Sequence, residues 1–228
     1  MSDDAVLIFA KTPRMGRVKT RLIPALGERA ATELYVSLLR RELDWISGET
    51  PYATELWVTP EVDHPVLHDL RQRHRLRLQI QQGDDLGARM SHAAREALTR
   101  HRRVALIGVD CPALNAGHLH RTFRWLAEGS DAVLGPAEDG GYVLLGMRRW
   151  DARLFTGHAW GGSDVAETTR RCFDECGFSW RELSPLWDLD RPEDLPRLAD
   201  LVHRTRGGTA AISAQALPRE LEALVGRD

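Results

Sequence analysis

Two lysines occur in the whole chain, Lys11 and Lys19, and both fall in one N-terminal stretch with Arg14, Gly16 and Arg21. The other cationic residues among the 31 Lys plus Arg are arginines. Arginine is a planar fork, whereas lysine is a compact ammonium on a flexible stem. Two ammonium groups beside a glycine turn suit the diphosphate or triphosphate tail of a nucleotide. Gly16 permits tight curvature there, and Pro13 stiffens the approach. The competing explanation is an arginine-biased composition that left two lysines together on a solvated loop by accident.

Carboxylates carry the second signal. In Val109-Asp110-Cys111-Pro112 an aspartate ends an apolar run and is fixed by proline. Mg²⁺ or Mn²⁺ suits such a place, because hard cations take oxygen ligands, often one or two carboxylates plus substrate phosphates. The alternative use of Asp110 is to cap a helix beginning near Asn115. Asp188 and Asp190 fall on one face of an extended segment and can share a cation; Asp190 can equally cap a helix starting at Pro192. Around Asp139, the pair Gly140 and Gly141 suits close approach of a ligand to the backbone, or else a hairpin turn, for which Asp-Gly is a strong signal.

Other motifs are set aside. The first loop has neither Gly-x-Gly-x-x-Gly nor Gly-x4-Gly-Lys-Ser/Thr, which argues against a dinucleotide-binding Rossmann domain and a P-loop. Gly161-Gly162-Ser163-Asp164 is not a nucleophile elbow. His118 and His120 read as surface residues, and the seven tryptophans as core and pocket walls. Cys111, Cys172 and Cys176 lack zinc-site spacing and read as core packing or free thiols.

The elements that must position these residues are legible as alternating strands and helices. Strands are expected at 6–10, 54–59, 76–82, 104–109, 131–136, 142–147 and 180–183. Helices are expected at 28–46, 65–73, 86–99, 117–127, 165–176, 192–205 and, after a flexible stretch opened by Gly207 and Gly208, at 217–225. The alternation predicts an α/β fold, a mostly parallel central sheet with helices on both faces. Ligands then bind beyond the carboxyl ends of the strands, where the unusual residues fall. A length of 228 residues is expected to make a single domain over 1–228, with 206–228 as a C-terminal flexible segment and helix. Net charge of -2 gives no reason to expect nucleic acid as a partner. With a polar N-terminus and no apolar run of membrane-spanning length, the chain is expected to be cytoplasmic. The helices beyond Pro192 leave two options open, packing a homodimer or closing the domain.

Five motifs in order carry a resemblance. They are Phe-x-Lys-x-Pro-x-x-Gly-x-Val-Lys-Thr-Arg-Leu, Gly-x-Asp-Leu-Gly-x-Arg-Met, Gly-x-Asp-Cys-Pro-x-Leu, Gly-Pro-Ala-x-Asp-Gly-Gly-Tyr and Asp-x-Asp-x-Pro-Glu-Asp-Leu. From about Val6 to Leu198 the chain resembles a bacterial family of GT-A-fold transferases, labelled glycosyltransferases of the arsenosugar-biosynthesis or selenodomain-associated type. More distantly it is similar to the molybdenum cofactor guanylyltransferases and to the phospholactate or phosphoenolpyruvate guanylyltransferases. The resemblance implies the GT-A-like nucleotide-diphosphosugar transferase fold. It matches Lys11, Lys19 and Arg21 to a phosphate-binding loop, to which Arg14 and Gly16 also belong, and Gly83, Leu86 and Gly87 to the turn approaching the nucleobase or ribose. Asp110 matches a metal-binding aspartate; Asp188 and Asp190 match a late segment completing the nucleotide and metal site. Gly162 and Ser163 match, loosely, a segment contacting the acceptor. Two departures stand out: Arg191 replaces a common threonine, and Asp110-Cys-Pro supplies one carboxylate where a strict Asp-x-Asp would supply two.

The expected activity is transfer from a nucleotide-activated donor to a small-molecule acceptor, dependent on Mg²⁺ or Mn²⁺. Lys19, Asp110 and Asp139 are the expected catalytic residues, with Asp139 orienting or deprotonating the acceptor. The family label favours a nucleotide-sugar donor, hence a glycosyltransferase. The cation-rich loop favours an NTP, hence a nucleotidyltransferase. A non-catalytic nucleotide-binding protein on the same fold is the third reading.

Overall fold

The computed structural model describes residues 2–205. The glycine pair at 207–208 and the helix expected at 217–225 lie outside the described residues. The first apolar run forms β1 (Asp4–Lys11), and Ala5 to Ile8 are fully buried. Such a run is apolar on both faces because β1 is a central strand. It pairs in parallel with β2 (Ala53–Thr59) on one side and β4 (Arg103–Ile107) on the other.

The sheet has seven strands in the order β3-β2-β1-β4-β6-β5-β7, with β3 at Arg77–Ile80, β5 at Ala132–Pro136, β6 at Tyr142–Met147 and β7 at Trp180–Glu182. The mostly parallel sheet expected from the sequence is present. The exception is β6, antiparallel to both β4 and β5. Alternation along β1 divides the core. Val6 and Ile8 pack with α1 (Ile23–Glu49), α2 (Pro65–His74), α4 (Ala116–Ala127) and α6 (Leu195–Thr205). Ala5 and Leu7 pack with α3 (Leu86–Leu98) and α5 (Val165–Glu175) on the opposite face.

Helix α1 begins earlier than its apolar period, at Ile23. Gly27 (φ 80°, ψ 161°) breaks it, so the regular stripe from Ala31 to Leu43 is legible only beyond that kink. The Asp139 segment is the turn of the β5–β6 hairpin, with Ala137 N–H donating to Gly141 O at 2.9 Å. Because the other strands share one direction, the loops after β1, β3, β4 and β5 open at the same sheet edge. The chain after β7 joins them, as Leu186 bridges to Ala137 and Leu186 N–H donates to Pro136 O at 3.0 Å.

Candidate active site

Lys19 is the hub of this edge. It stands in the left-handed region (φ 48°, ψ 40°), which turns its side chain inward until 3% of it is exposed. Its ammonium lies 2.6 Å from Asp110 Oδ1 and donates to Leu189 O. Leu189 N–H donates in turn to Asp110 O at 2.7 Å. The loop after β1, the turn after β4 and the segment after β7 are thus bolted together. Asp110 is no helix cap: Asn115 caps α4, with its side chain accepting from Gly117 N–H and His118 completing the box.

Asp190 does not cap the last helix either. Asp194 reaches back to accept from the Asp190 and Arg191 N–H groups, and the Asp190 carboxylate pairs with Arg21. Asp188 is half-buried. Burial, then the charges of Asp139, Asp190 and Asp110, push its carboxyl up to about 6.

Asp139 Oδ1 accepts from Gly141 N–H at 2.9 Å. Its turn is held from behind by Gly140 O, which accepts from Ala166 N–H at 2.9 Å at the start of α5. A Cβ on Gly140 would lie 1.9 Å from Ser163 O, so the two loops touch backbone to backbone. Tyr35, projecting from α1, accepts from Lys11 N–H at 2.7 Å and donates to Lys11 O at 3.0 Å, which fixes the exit of β1.

These residues surround a cleft of about 690 Å³. Lys11, Lys19, Arg21 and Arg89 line it, and so do Asp110, Asp139, Asp188 and Asp190. Formal charge across the lining therefore cancels. Leu86 and Gly141 also reach it, while Gly162 lines a smaller adjoining chamber. The remaining expected residues are not among those lining either space. Arg14 pairs with Glu61, and Gly16 packs against the Glu28 carboxylate. Gly83 (φ 137°) lets the turn close on Ala88, where a Cβ would meet another at 2.7 Å. Gly87 admits Trp160, whose Nε1 would lie 2.5 Å from a Cβ there. Gly140 and Ser163 meet where the two loops touch.

Among the described residues no group of three or more His, Cys, Asp or Glu is gathered to hold a metal unaided. The acidic donors that line the cleft are four carboxylates, beside the Cys111 thiol, which burial pushes up to about 12. That donor set fits a hard divalent cation using one or two carboxylates and completing its shell from donor phosphates.

Arg89, Gln81, Tyr35 and Trp160 line the cleft without having been singled out in the sequence. Arg89 belongs to the Gly-x-Asp-Leu-Gly-x-Arg-Met motif, a signal that could have found it. Gln81 is held by amide hydrogen bonds to Ala10 O at 3.1 Å and Trp57 O at 2.9 Å.

The sequence profile of a family described as "Uncharacterized protein conserved in bacteria (DUF2064)" matches residues 43–162, more than half of the 228. The chain belongs to this family. No functionally curated protein matches it. The solved structure of a "putative nucleotide-diphospho-sugar transferase" from Desulfovibrio desulfuricans G20 superposes with a TM-score of 0.85 at 30% identity, covering 99% of this chain and 98% of that one. A cytidylyltransferase from Leptospira borgpetersenii gives a TM-score of 0.59 at 11% identity over 99% and 94% of the two chains. A nucleotidyl transferase from Methanothermobacter gives 0.55 at 16% identity over 89% and 99%. At those identities the last two speak to fold alone. The family member thus has the nucleotide-diphospho-sugar-transferase type of fold that the motifs implied.

Proposed function

We propose that this protein is a metal-dependent glycosyltransferase that uses a nucleotide-sugar donor. The observation that carries the reading is the cleft lining, in which four cationic and four carboxylate side chains face one volume at the carboxyl ends of the strands. Two of the cations are already committed, Lys19 to Asp110 and Arg21 to Asp190. Lys11 and Arg89 remain to meet phosphates, which suits a diphosphate better than a triphosphate. The 30% identical relative carries a nucleotide-diphospho-sugar transferase name, which supports the same choice.

In this mechanism Lys11 and Arg89 hold the donor diphosphate, and Lys19 keeps Asp110 and the Leu189 segment in register. Asp110 with Asp188 or Asp190 would hold Mg²⁺ or Mn²⁺, which would supply positive charge against the leaving diphosphate. The acceptor hydroxyl oxygen bonds to the sugar C1 as the bond from C1 to the phosphate oxygen breaks. The electron pair leaves with the nucleoside diphosphate, and the hydroxyl proton passes to Asp139. Gly141 N–H occupies Asp139 Oδ1, so Oδ2 receives the proton.

Calorimetric titration with UDP-, GDP- and ADP-glucose, and with GTP and CTP, each with and without Mn²⁺, tests the reading. Mn²⁺-dependent binding of a nucleotide sugar is expected. Mn²⁺-dependent binding of an NTP alone would assign nucleotidyl transfer instead, and binding of none would overturn both.

A further inference from the structure

Beside the main cleft lies a chamber of about 190 Å³ that opens past Asp139. Its walls are Phe9, Leu86, Met90, Tyr142, Trp160 and Val165. None of the four cationic side chains of the cleft reaches it, and Asp139 is its one charged neighbour. The Tyr142 hydroxyl donates to Met90 Sδ at 3.7 Å, within the wall itself. Trp160 is fixed by a stack on His158 (centroids 4.7 Å apart, planes at 15°) and by an edge contact with Tyr142 at 6.4 Å. The lack of a side chain at Gly87 is what lets the indole lie there. The chamber is therefore a built, mainly apolar site that is continuous with the cleft and shares one carboxylate, Asp139, with it.

We propose that this chamber is the acceptor subsite, and that the acceptor is an alcohol with an apolar body, its hydroxyl at Asp139 and its body against Trp160. The inference rests on the transferase reading above. A sugar or glycerol acceptor would find few partners for its several hydroxyls here, since apart from Asp139 the polar groups of the walls are the backbone at Gly108, Gly141, Gly161 and Gly162 and the Trp160 indole N–H. An apolar cavity of about 150 Å³ accommodates benzene, so this one takes a single aromatic ring or a short branched alkyl group. The donor base has a better berth across the cleft, beside Thr59 and Gln81, which line the cleft and not the chamber. On transfer the acceptor O–H gives its proton to Asp139, its oxygen bonds to the sugar carbon, and the nucleoside diphosphate leaves.

The test is calorimetric titration of the full chain with 2-phenylethanol, alone and with a saturating nucleotide sugar plus Mn²⁺, using glycerol and glucose as polar comparisons. The expected result is saturable binding of 2-phenylethanol that the donor leaves intact, with no binding of the polar compounds. Val165→Phe should fill the chamber and weaken the probe about tenfold or more, since burial of a ring is at stake. Should that variant fail to fold, Leu86→Gln at the exposed rim is expected to weaken it in the same direction. Donor binding without probe binding would overturn the acceptor subsite and leave the transferase reading standing. Displacement of the probe by the donor would assign the chamber to the donor. Probe binding unchanged in both variants would place the alcohol elsewhere and also overturn the proposal. Absence of binding by any nucleotide sugar would overturn the transferase reading and, with it, the acceptor role.

Discussion

The Lys19 ammonium and the Asp110 carboxylate meet at 2.6 Å, with the lysine side chain buried and the aspartate side chain 54% exposed. The pair is therefore lopsided: the cation depends on the contact, whereas the carboxylate keeps an open flank toward the cleft. That flank is where a second positive charge can approach.

Replacing Lys19 with methionine removes the bolt and keeps the bulk. Leu189 O and Asp110 each lose a donor, but water reaches Asp110 and offsets part of the loss. The expected destabilisation is about 1–3 kcal/mol, below that of a fully buried pair, and urea unfolding measures it. Donor affinity should fall too, because the segment carrying Asp188 and Asp190 loses one of its ties to the loop and keeps the exposed Arg21–Asp190 pair. Wild-type stability in the variant would mean that the contact is not a structural joint.

Asp110→Asn keeps the shape and removes the charge. We expect divalent-dependent turnover to drop by about a hundredfold or more, on the scale of losing a key electrostatic contact, and the melting temperature to fall as well, because the buried Lys19 ammonium loses its counter-charge. A variant with wild-type turnover would end the assignment of Asp110 to the reacting phosphates.

Gly140→Ala tests the loop contact behind Asp139. The new methyl would lie 1.9 Å from Ser163 O, on a residue at φ 93°, and the backbones must separate. A loss of about 2–4 kcal/mol is expected from overpacking and left-handed strain together. The rate of transfer should suffer more than donor affinity, since Asp139 moves while Lys11 and Arg89 do not. Equal stability of the two proteins in thermal unfolding would contradict the geometry.

Glu42 gives a pH dependence. It is fully buried on α1, accepts from Trp45 Nε1 at 3.1 Å, and lies 3.3 Å from Arg41. Burial outweighs these partners and pushes its carboxyl from an ordinary 4.5 up to about 8. The folded state therefore holds a proton that the unfolded chain releases, and stability is lost as pH rises from about 4.5 through 8. Glu42→Gln lacks this loss. Between pH 5 and 9 the variant should gain on the wild type by about 1 kcal/mol or more, read as the difference in denaturant midpoints. A constant difference across that range would mean that Arg41 keeps Glu42 ionised.

What the sequence revealed follows the range of the interactions. β1, α1 and α4 were legible because burial imposes a local period, and Asp110 and Asp139 because a turn residue follows each. The direction of β6 was legible only through the hairpin alternative at Asp139-Gly140, since an apolar run by itself carries no sign of which way it lies in a sheet. Nor was the fate of Lys19: its partners at 110 and 189 are far along the chain, and it takes a left-handed backbone that glycine usually fills. Trp160 looked like one aromatic residue among several until Gly87 was seen to make room for it.

The hydrogen bond from Lys19 to Leu189 spans 170 residues of chain. Protein domains emerge from the ribosome N-terminus first, at about 5–20 residues per second. The lysine is thus made 170 residues before the carbonyl it bonds. Over that interval the nascent chain carries an ammonium whose burial site does not yet exist. Cleft assembly is therefore a late event by construction, and a chain interrupted before Leu189 has β1 through β7 but no finished site.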